Sequence, residues 1–318
     1  MLNDLRFVQG SVAKKEFIPA LTHFVIENGF VRGFNGALAL CSPIACDLTC
    51  NPKAEPLIRA IGNCTDTIQL SMTQAGRLSI KSGKFKAFID CIQGETAHVI
   101  PEGNPVVIDG AILLQALKVV HPFIGDDASR QWTNGVLLTG QSAFATNNVA
   151  VIEYWTGSTI PTPINLPRAA VKEMLRIDEA PISVQMNETS ITFHYSGNRW
   201  LRTQLYESNW PDLSKILDKP SVQLPINKEL FEGLEVIKPF TDKLGRVLFR
   251  GDGRIATHEV DVEGAEYELI EFNHSGIYQI SMLSLLKDVA TTIDWTLYPS
   301  ACLFFGDRVR GALIGMRQ

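Results

Sequence analysis

The sequence predicts an α+β fold in three repeated domains, each with two helices packed on antiparallel sheet. Three observations carry this. A helical pattern followed by three short strand-like runs occurs three times along the chain. A second helix-then-strands pattern precedes two of those copies. Turn residues fall at matching points in each copy.

The copies span residues 54–92, 166–205 and 280–316. Each opens with about ten residues of helical pattern and continues as alternating or apolar runs. In the second copy Ala170, Val171, Met174 and Leu175 share one helix face. Ile182, Val184 and Met186, then Ile191, Phe193 and Tyr195, then Leu201, Thr203 and Leu205 alternate as strands. Ala75-Gly76, Ser82-Gly83, Asn187, Ser196-Gly197-Asn198 and Gly306-Asp307 supply the turns. Before the second and third copies, residues 108–123 and 225–240 read as helices closed by Pro122 and Pro239. Asn227 serves as an N-cap, with Leu230, Phe231, Leu234 and Ile237 at helical spacing. Strands are expected at 135–139 and 143–155 after the first of these helices, and at 246–249 and 255–260 after the second. Near the N-terminus residues 5–8 read as a strand. Residues 11–16 then leave room for barely one helical turn before Phe17-Ile18-Pro19. A period of about 100 residues exceeds the ~20–50 of a solenoid unit and fits whole domains. The expected boundaries are 1–104, 105–220 and 221–318.

A chain of 318 residues with 45% apolar and 20% charged residues is an ordinary globular protein of several domains. No apolar run reaches the ~18 residues of a membrane span. The N-terminal Met-Leu-Asn-Asp-Leu-Arg lacks the basic and apolar regions of a secretory signal, so a cytoplasmic protein is expected. The net charge of −5 argues against wrapping nucleic acid with the whole surface but permits one basic face. Cys41, Cys46, Cys50 and Cys64 lie close in sequence, yet without a C-x-x-C pair, and with only His23 nearby. Buried reduced thiols are the expected state, and no metal or cofactor is expected.

Catalytic signatures are missing. There is no G-x-x-x-x-G-K-[ST], H-E-x-x-H or G-x-S-x-G, and no G-x-G-x-x-G after a strand. The histidines are scattered, Asp252-Gly253 reads as a hairpin turn, and Asp126-Asp127 reads as a solvated loop. The expectation is a protein without enzymatic activity.

Residues 130–217 resemble the middle domain of the bacterial β sliding clamp, the processivity subunit of the replicative DNA polymerase. The matching pieces occur in order. Thr133-Asn134-Gly135-Val136-Leu137-Leu138 stands at the strand after the first helix. Ala143-Phe144-Ala145-Thr146-Asn147-Asn148 stands where the family has an Ala-Thr-Asp-Gly-His-Arg-like run. Leu166-Pro167-Arg168 opens the second helix, and Trp210-Pro211-Asp212 stands where the family has Phe-Pro-Asp-Tyr. Gly315-Met316-Arg317 resembles the family's Pro-Met-Arg. The chain looks like a compact, divergent clamp of the kind a phage could encode.

The resemblance implies three clamp domains per chain and a head-to-tail homodimer closing a ring, with helices lining the hole. It implies sequence-independent binding of duplex DNA, and binding of DNA polymerase and clamp loader through short linear peptides. The basic residues expected at the lining are Arg168, Lys172 and Arg176, which are four apart on one helix, with Lys53, Arg59, Lys118, Lys228, Lys238 and Lys287 on or near others. Such a stripe is also what any solvated helix face shows. Gln131 and Trp132 match a loop that touches DNA in the family; Trp132 could stack on a nucleotide or pack in the core. The partner-peptide pocket carried over comprises Thr133, Thr146, Asn148, Val149, Val151, Pro211, Lys215, Ile216, Ile314, Met316 and Arg317. Two departures matter: Asn148-Val149-Ala150 replaces Gly-His-Arg, so a charged wall is lost, and Gly315 replaces a proline. Candidate dimer contacts are residues 85–92 and part of the third domain. The alternative is a clamp-fold decoy that interferes with a host replisome without encircling DNA. A small-ligand enzyme with a site between domains is a third reading that the missing motifs disfavour.

Residues 206–217 read as the connector between the second and third domains. It carries Trp210, Leu213, Ile216 and Leu217, too apolar for a solvated linker. Trp210 is expected to anchor it to the core, with Pro211, Lys215 and Ile216 facing the pocket.

Overall fold

A computed structural model describes residues 1–14, 18–94, 96–207, 209–259 and 262–317. In chain order the elements are α1 (Leu2–Val8), β1 (Val25–Glu27), β2 (Phe30–Phe34), β3 (Leu38–Pro43), α2 (Ala54–Gly62), β4 (Gln69–Met72), β5 (Leu78–Ser82), β6 (Phe85–Ile89), β7 (Asn104–Val106) and α3 (Gly110–Val120). Then follow β8 (Gly135–Thr146), β9 (Ala150–Pro167), α4 (Arg168–Ile177), β10 (Ser183–Met186), β11 (Ser190–Tyr195), β12 (Arg199–Gln204), α5 (Ser214–Leu217) and β13 (Leu224–Pro225). The last are α6 (Glu229–Ile237), β14 (Arg246–Arg250), β15 (Arg254–Ala256), β16 (Glu266–Glu268), β17 (Ser275–Gln279), α7 (Ile280–Ser284), β18 (Thr292–Ile293), β19 (Ala301–Gly306) and β20 (Val309–Ile314).

The chain forms two compact units. The first comprises Met1–Leu114 and Ala169–Leu205, the second Gln115–Arg168 and Tyr206–Gln318. The first unit holds an antiparallel sheet in the order β1-β2-β3-β12-β11-β10-β7 and a smaller one, β4-β5-β6. Its core gathers Leu5, Val8, Phe24, Ile26, Leu40, Phe193 and Tyr195. The second unit holds the sheet β13-β18-β19-β20-β9-β8 and the sheet β16-β15-β14-β17. The latter is backed by an aromatic cluster in which Phe249 meets Phe272, Tyr278 and Trp295 at centroid distances of 4.9–5.2 Å.

The helix-plus-hairpins pattern holds in the first two copies, as α2 with β4–β6 and α4 with β10–β12. In the third copy the expected ten-residue helix shortens to α7, followed by turns. Residues 5–8 are helical, not a strand. Leu5 and Val8 are buried together with Phe7, and so short a run reads either way until its packing partner is known. Of the 11–16 stretch, Ser11 ends a 3-10 turn, while residues 15–17 lie outside the described residues. The expected 143–155 strand is broken by a turn at 147–149, and β8 runs on from 135 through the expected gap, kinked around Gly140 at φ +58°. Ile182 is exposed rather than inward-facing, because β10 begins only at Ser183. Lys228 holds the N-cap position of α6, while the Asn227 side chain accepts the Glu229 amide at 2.9 Å. The tight turn at 251–253 joins β14 to β15, and Val260 of the expected second strand lies outside the described residues. All six cysteines are free thiols. Among the described residues no helix is long and apolar enough to cross a membrane.

One buried charge is a keystone of the first unit. Glu173 on α4 is 6% exposed, and its carboxylate accepts two hydrogen bonds from Arg176 Nε, at 3.0 and 2.9 Å. Arg176 Nη2 also donates to the Phe7 carbonyl at 2.8 Å, so this pair ties α4 to α1. A Cβ at Gly10 would lie 2.0 Å from the Glu173 carboxyl. Gly10→Ala should therefore displace a buried carboxylate from its partner and cost roughly 3 kcal/mol in chemical denaturation. A loss below about 0.5 kcal/mol would show that Glu173 moves aside freely.

Candidate functional site

An apolar groove of about 170 Å³ lies on one face of the six-stranded sheet of the second unit. β8 and β9 form a long hairpin whose tip, Asn147-Asn148, is fixed by its own side chains. Asn147 Oδ1 accepts the amides of Val149 and Ala150 at 3.1 and 2.8 Å. Thr146 Oγ1 donates to the Ala150 carbonyl at 2.8 Å and accepts the Asn148 amide at 3.1 Å. Asn148 sits at φ +70°, a left-handed conformation that asparagine tolerates. β20 pairs with β9 so that Ala312 stands beside Val151.

The connector closes the groove. Asp212 Oδ1 accepts the Ser214 amide and hydroxyl at 3.1 and 2.6 Å, starting α5, and these bonds hold the Asp212 carboxyl below the usual carboxylate range. α5 then lays Leu217 into a cluster with Val151, Leu303 and Ala312, with Leu213 and Ile216 packed against it. Arg310 pins the far end, binding both Glu153 and Asp218. Upstream, Asn165 is wholly buried on β9, and its Nδ2 donates to the carbonyls of Trp132 and Glu207 at 3.3 and 3.1 Å. Trp210 packs edge-on against Trp132 at 5.0 Å. The connector is apolar because it covers a sheet face.

Thr146, Asn148, Val149, Val151, Pro211, Ile216 and Ile314, all expected in the pocket, meet around this groove. Four others do not line it. Thr133 is fully buried, its hydroxyl donating to the Arg130 carbonyl at 2.9 Å, so it supports the wall from behind. Lys215 is exposed on α5. Met316 is tethered beside the groove, its amide on the Ile277 carbonyl at 2.7 Å and its carbonyl on the Tyr298 hydroxyl at 2.8 Å. Arg317 follows it, exposed. Gly315 has a steric reason: a Cβ there would lie 2.5 Å from the Tyr298 ring.

Ala150 lines the groove with the rest of the Asn148-Val149-Ala150 wall, but the sequence reading missed other wall residues: Trp132, placed above beside DNA, and Leu213, Ala301 and Ala312. Only Leu213 carried a signal, as an apolar residue in a connector. It also missed Arg130, whose Nη1 donates to Asn148 Oδ1 at 3.0 Å, bringing a guanidinium to the hairpin tip where the charged wall had seemed lost.

The basic residues occupy unequal settings. On α4, Lys172 is exposed with no ion pair among the described residues, while Arg168 lies 3.3 Å from Asp126 and Arg176 is committed to Glu173. Lys53 is the exposed N-cap of α2, and Arg59 pairs with Glu55 at 2.8 Å. Lys118 and Gln131 are exposed, and Lys238 lies 3.6 Å from Glu235. Lys228 and Lys287 line a broader hollow of about 670 Å³ together with Glu232, Asp288 and Asp307.

Asn148→Gly should keep the left-handed tip and change stability by less than about 0.5 kcal/mol, whereas Asn148→Val should cost about 1–2 kcal/mol. Equal midpoints for the two variants in thermal denaturation would contradict the tip geometry.

No protein-family model and no curated protein sequence matches the chain. Solved structures match it along its whole length. The β subunit of DNA polymerase from Streptococcus pyogenes has 16% identity, covers 100% of this chain and 97% of its own, and superimposes with a TM-score of 0.82. The DNA polymerase III β sliding clamp of Pseudomonas aeruginosa bound to griselimycin has 17% identity, the same coverages and a TM-score of 0.81. The corresponding Bartonella birtlesii clamp, also bound to griselimycin, has 15% identity, the same coverages and a TM-score of 0.83. From end to end, the chain has the fold of the bacterial β sliding clamp.

Proposed function

We propose that this chain is a DNA sliding clamp. Two copies close head to tail into a ring around duplex DNA, and short linear peptides of a replicative DNA polymerase and of a clamp loader enter the groove. The protein acts as a tether and catalyses nothing, and it uses no cofactor. Each chain contributes three clamp domains, 1–104, 105–220 and 221–318. The observation that supports this reading is the groove: seven of the eleven pocket residues carried over by resemblance meet around one apolar hollow, in a chain with the clamp fold. An apolar groove with a few fixed polar groups suits a peptide with apolar anchors. Arg130 at the hairpin tip adds a cation for an acidic or polar flank.

Lys172, Lys53, Lys118, Lys228 and Lys287, with Arg168, Arg176 and Arg59, would supply a diffuse positive lining that reads no sequence. Gln131 would touch DNA beside the hole. Two exposed apolar sites suit the ring contact. Phe88 lies on β6, an outer strand of its sheet, and Phe240 and Leu244 follow α6.

Light scattering should give a particle near twice 35.2 kDa, and Phe88→Glu should shift it toward the single-chain mass. A wild-type monomer at micromolar concentration would favour the decoy reading. Ile314→Asp, at a groove residue that is 47% exposed, should weaken binding of a polymerase-derived peptide at least about 10-fold in calorimetry while leaving particle size unchanged. Unchanged peptide affinity would remove the groove from the mechanism.

A further inference from the structure

The sheet face that floors the groove continues past α5. Val151, Glu153 and Trp155 alternate on that face of β9, and Ala312, Arg310 and Arg308 run beside them. α5 covers Val151 and Ala312. Beyond it, Glu153, Trp155, Phe305, Arg308 and Arg310 line a separate crevice of about 410 Å³. Most of its charge is already spoken for. Arg310 is held by Glu153 and Asp218, and Glu153 also accepts the Ser142 hydroxyl at 2.6 Å. Asp307, next in sequence to Arg308, lines a different hollow. Among the described residues, Arg308 is the one charged side chain of the crevice without an ion pair.

Trp155 and Arg308 stand together in an arrangement that costs the fold something. Trp155 is 49% exposed. Its amide donates to the Arg308 carbonyl at 2.8 Å, and the Arg308 guanidinium lies 5.4 Å from its ring centroid. Gly157 leaves room for the ring: a Cβ there would lie 3.4 Å from it. Arg308 itself sits at φ +54°. Of the six described non-glycine residues with positive φ, four are asparagine or aspartate, the types that tolerate that region. A long side chain there is strained, and glycine would make the turn more readily. What the arginine adds is an exposed guanidinium laid on an exposed indole, with no hydrogen bond of its own among the described residues.

We propose that this crevice docks an acidic peptide segment of a partner protein, with one carboxylate on Arg308 and an apolar neighbour against Trp155 and Phe305. A stacked guanidinium keeps its N–H edge free, and that fork matches a carboxylate. Tryptophan and arginine are also the side chains that most often dominate binding energy at interfaces. A nucleic acid fits less well. It needs several cations along a phosphate track, whereas here a single free one stands near Glu153 and Asp218. The docking site rests on the geometry of this face and not on the clamp reading. α5 separates it from the groove, so the two are distinct seats.

The full-length protein, labelled with fluorotryptophan, should be titrated with an acidic peptide of glutamates around one leucine, and with the same peptide carrying lysines in their place. The fluorine NMR signal of Trp155, assigned by its loss in Trp155→Phe, should move with the acidic peptide and stay still with the basic one. Arg308→Gly should weaken that response at least about 10-fold. The same variant should melt at or above the wild-type temperature, because glycine relieves the left-handed turn. Arg308→Lys keeps the charge without the fork and should fall between the two. Ile314→Asp, in the groove, should leave the Trp155 response unchanged. A wild-type signal that ignores the acidic peptide, or follows both peptides alike, overturns the proposal. So does an Arg308→Gly variant that binds as the wild type does. If Arg308→Gly melts well below the wild type, the arginine is there for the fold and the docking site falls. Loss of the response in Ile314→Asp would put the peptide in the groove instead.

Discussion

Everything in this fold depends on antiparallel ladders that join strands far apart in sequence. In the first unit Leu201 pairs with Leu40 and Trp200 with Cys41, so the middle of the chain completes a sheet begun near its start. In the second unit Ala312 pairs with Val151 and Gly311 with Ile152, so the end of the chain completes a sheet begun in the middle. Without these ladders, β3, β12, β9 and β20 would each present a bare row of amides and carbonyls. The groove is a by-product of the second ladder. Its floor is the sheet face that Val151 and Ala312 share, and α5 lies across that face.

The electrostatics divide the basic residues more sharply than their spacing suggests. Arg168 faces Asp126, whose side chain is 91% exposed. A pair so open to water is worth ~0–1 kcal/mol and can exchange its partner for another anion. Arg176 cannot do so cheaply, because releasing Glu173 would leave an uncompensated carboxylate inside the unit. Three cations on one helix stripe are therefore one mobile charge, one exchangeable charge and one structural charge.

Periodicity made much of this legible. Ala170, Val171 and Met174 are buried on α4, and Ile191, Phe193, Leu201 and Thr203 are buried on β11 and β12. These signals are local, and packing agreed with them. The failures were also local signals, overruled by context. Residues 5–8 are too few to separate a strand from a helix, and Ile182 falls one residue outside its strand. The 147–149 turn is made by asparagine side chains bonding to backbone amides, without glycine or proline to mark it. At the site, resemblance reached the residues on the hairpin tip and the connector. It could not reach Asn165 or Arg130, which act through contacts across 42 and 18 positions of sequence. Nor could it reach Glu173, since a glutamate on an otherwise basic stripe looks solvated until the Phe7 carbonyl and Arg176 enclose it.

The interleaving of the two units has a consequence for biosynthesis. The first unit is not complete until Leu205 has left the ribosome, although its first strand ends at Glu27. During that interval β3 waits with one edge unpaired while about 160 residues are added, at a loop-closure cost that grows only slowly with length. The second unit waits longer still, because β9 is made well before β20. A nascent chain of this kind exposes apolar strand edges for seconds at ordinary rates of synthesis. Folding chaperones, rather than the finished molecule, would be the first partners to meet those edges.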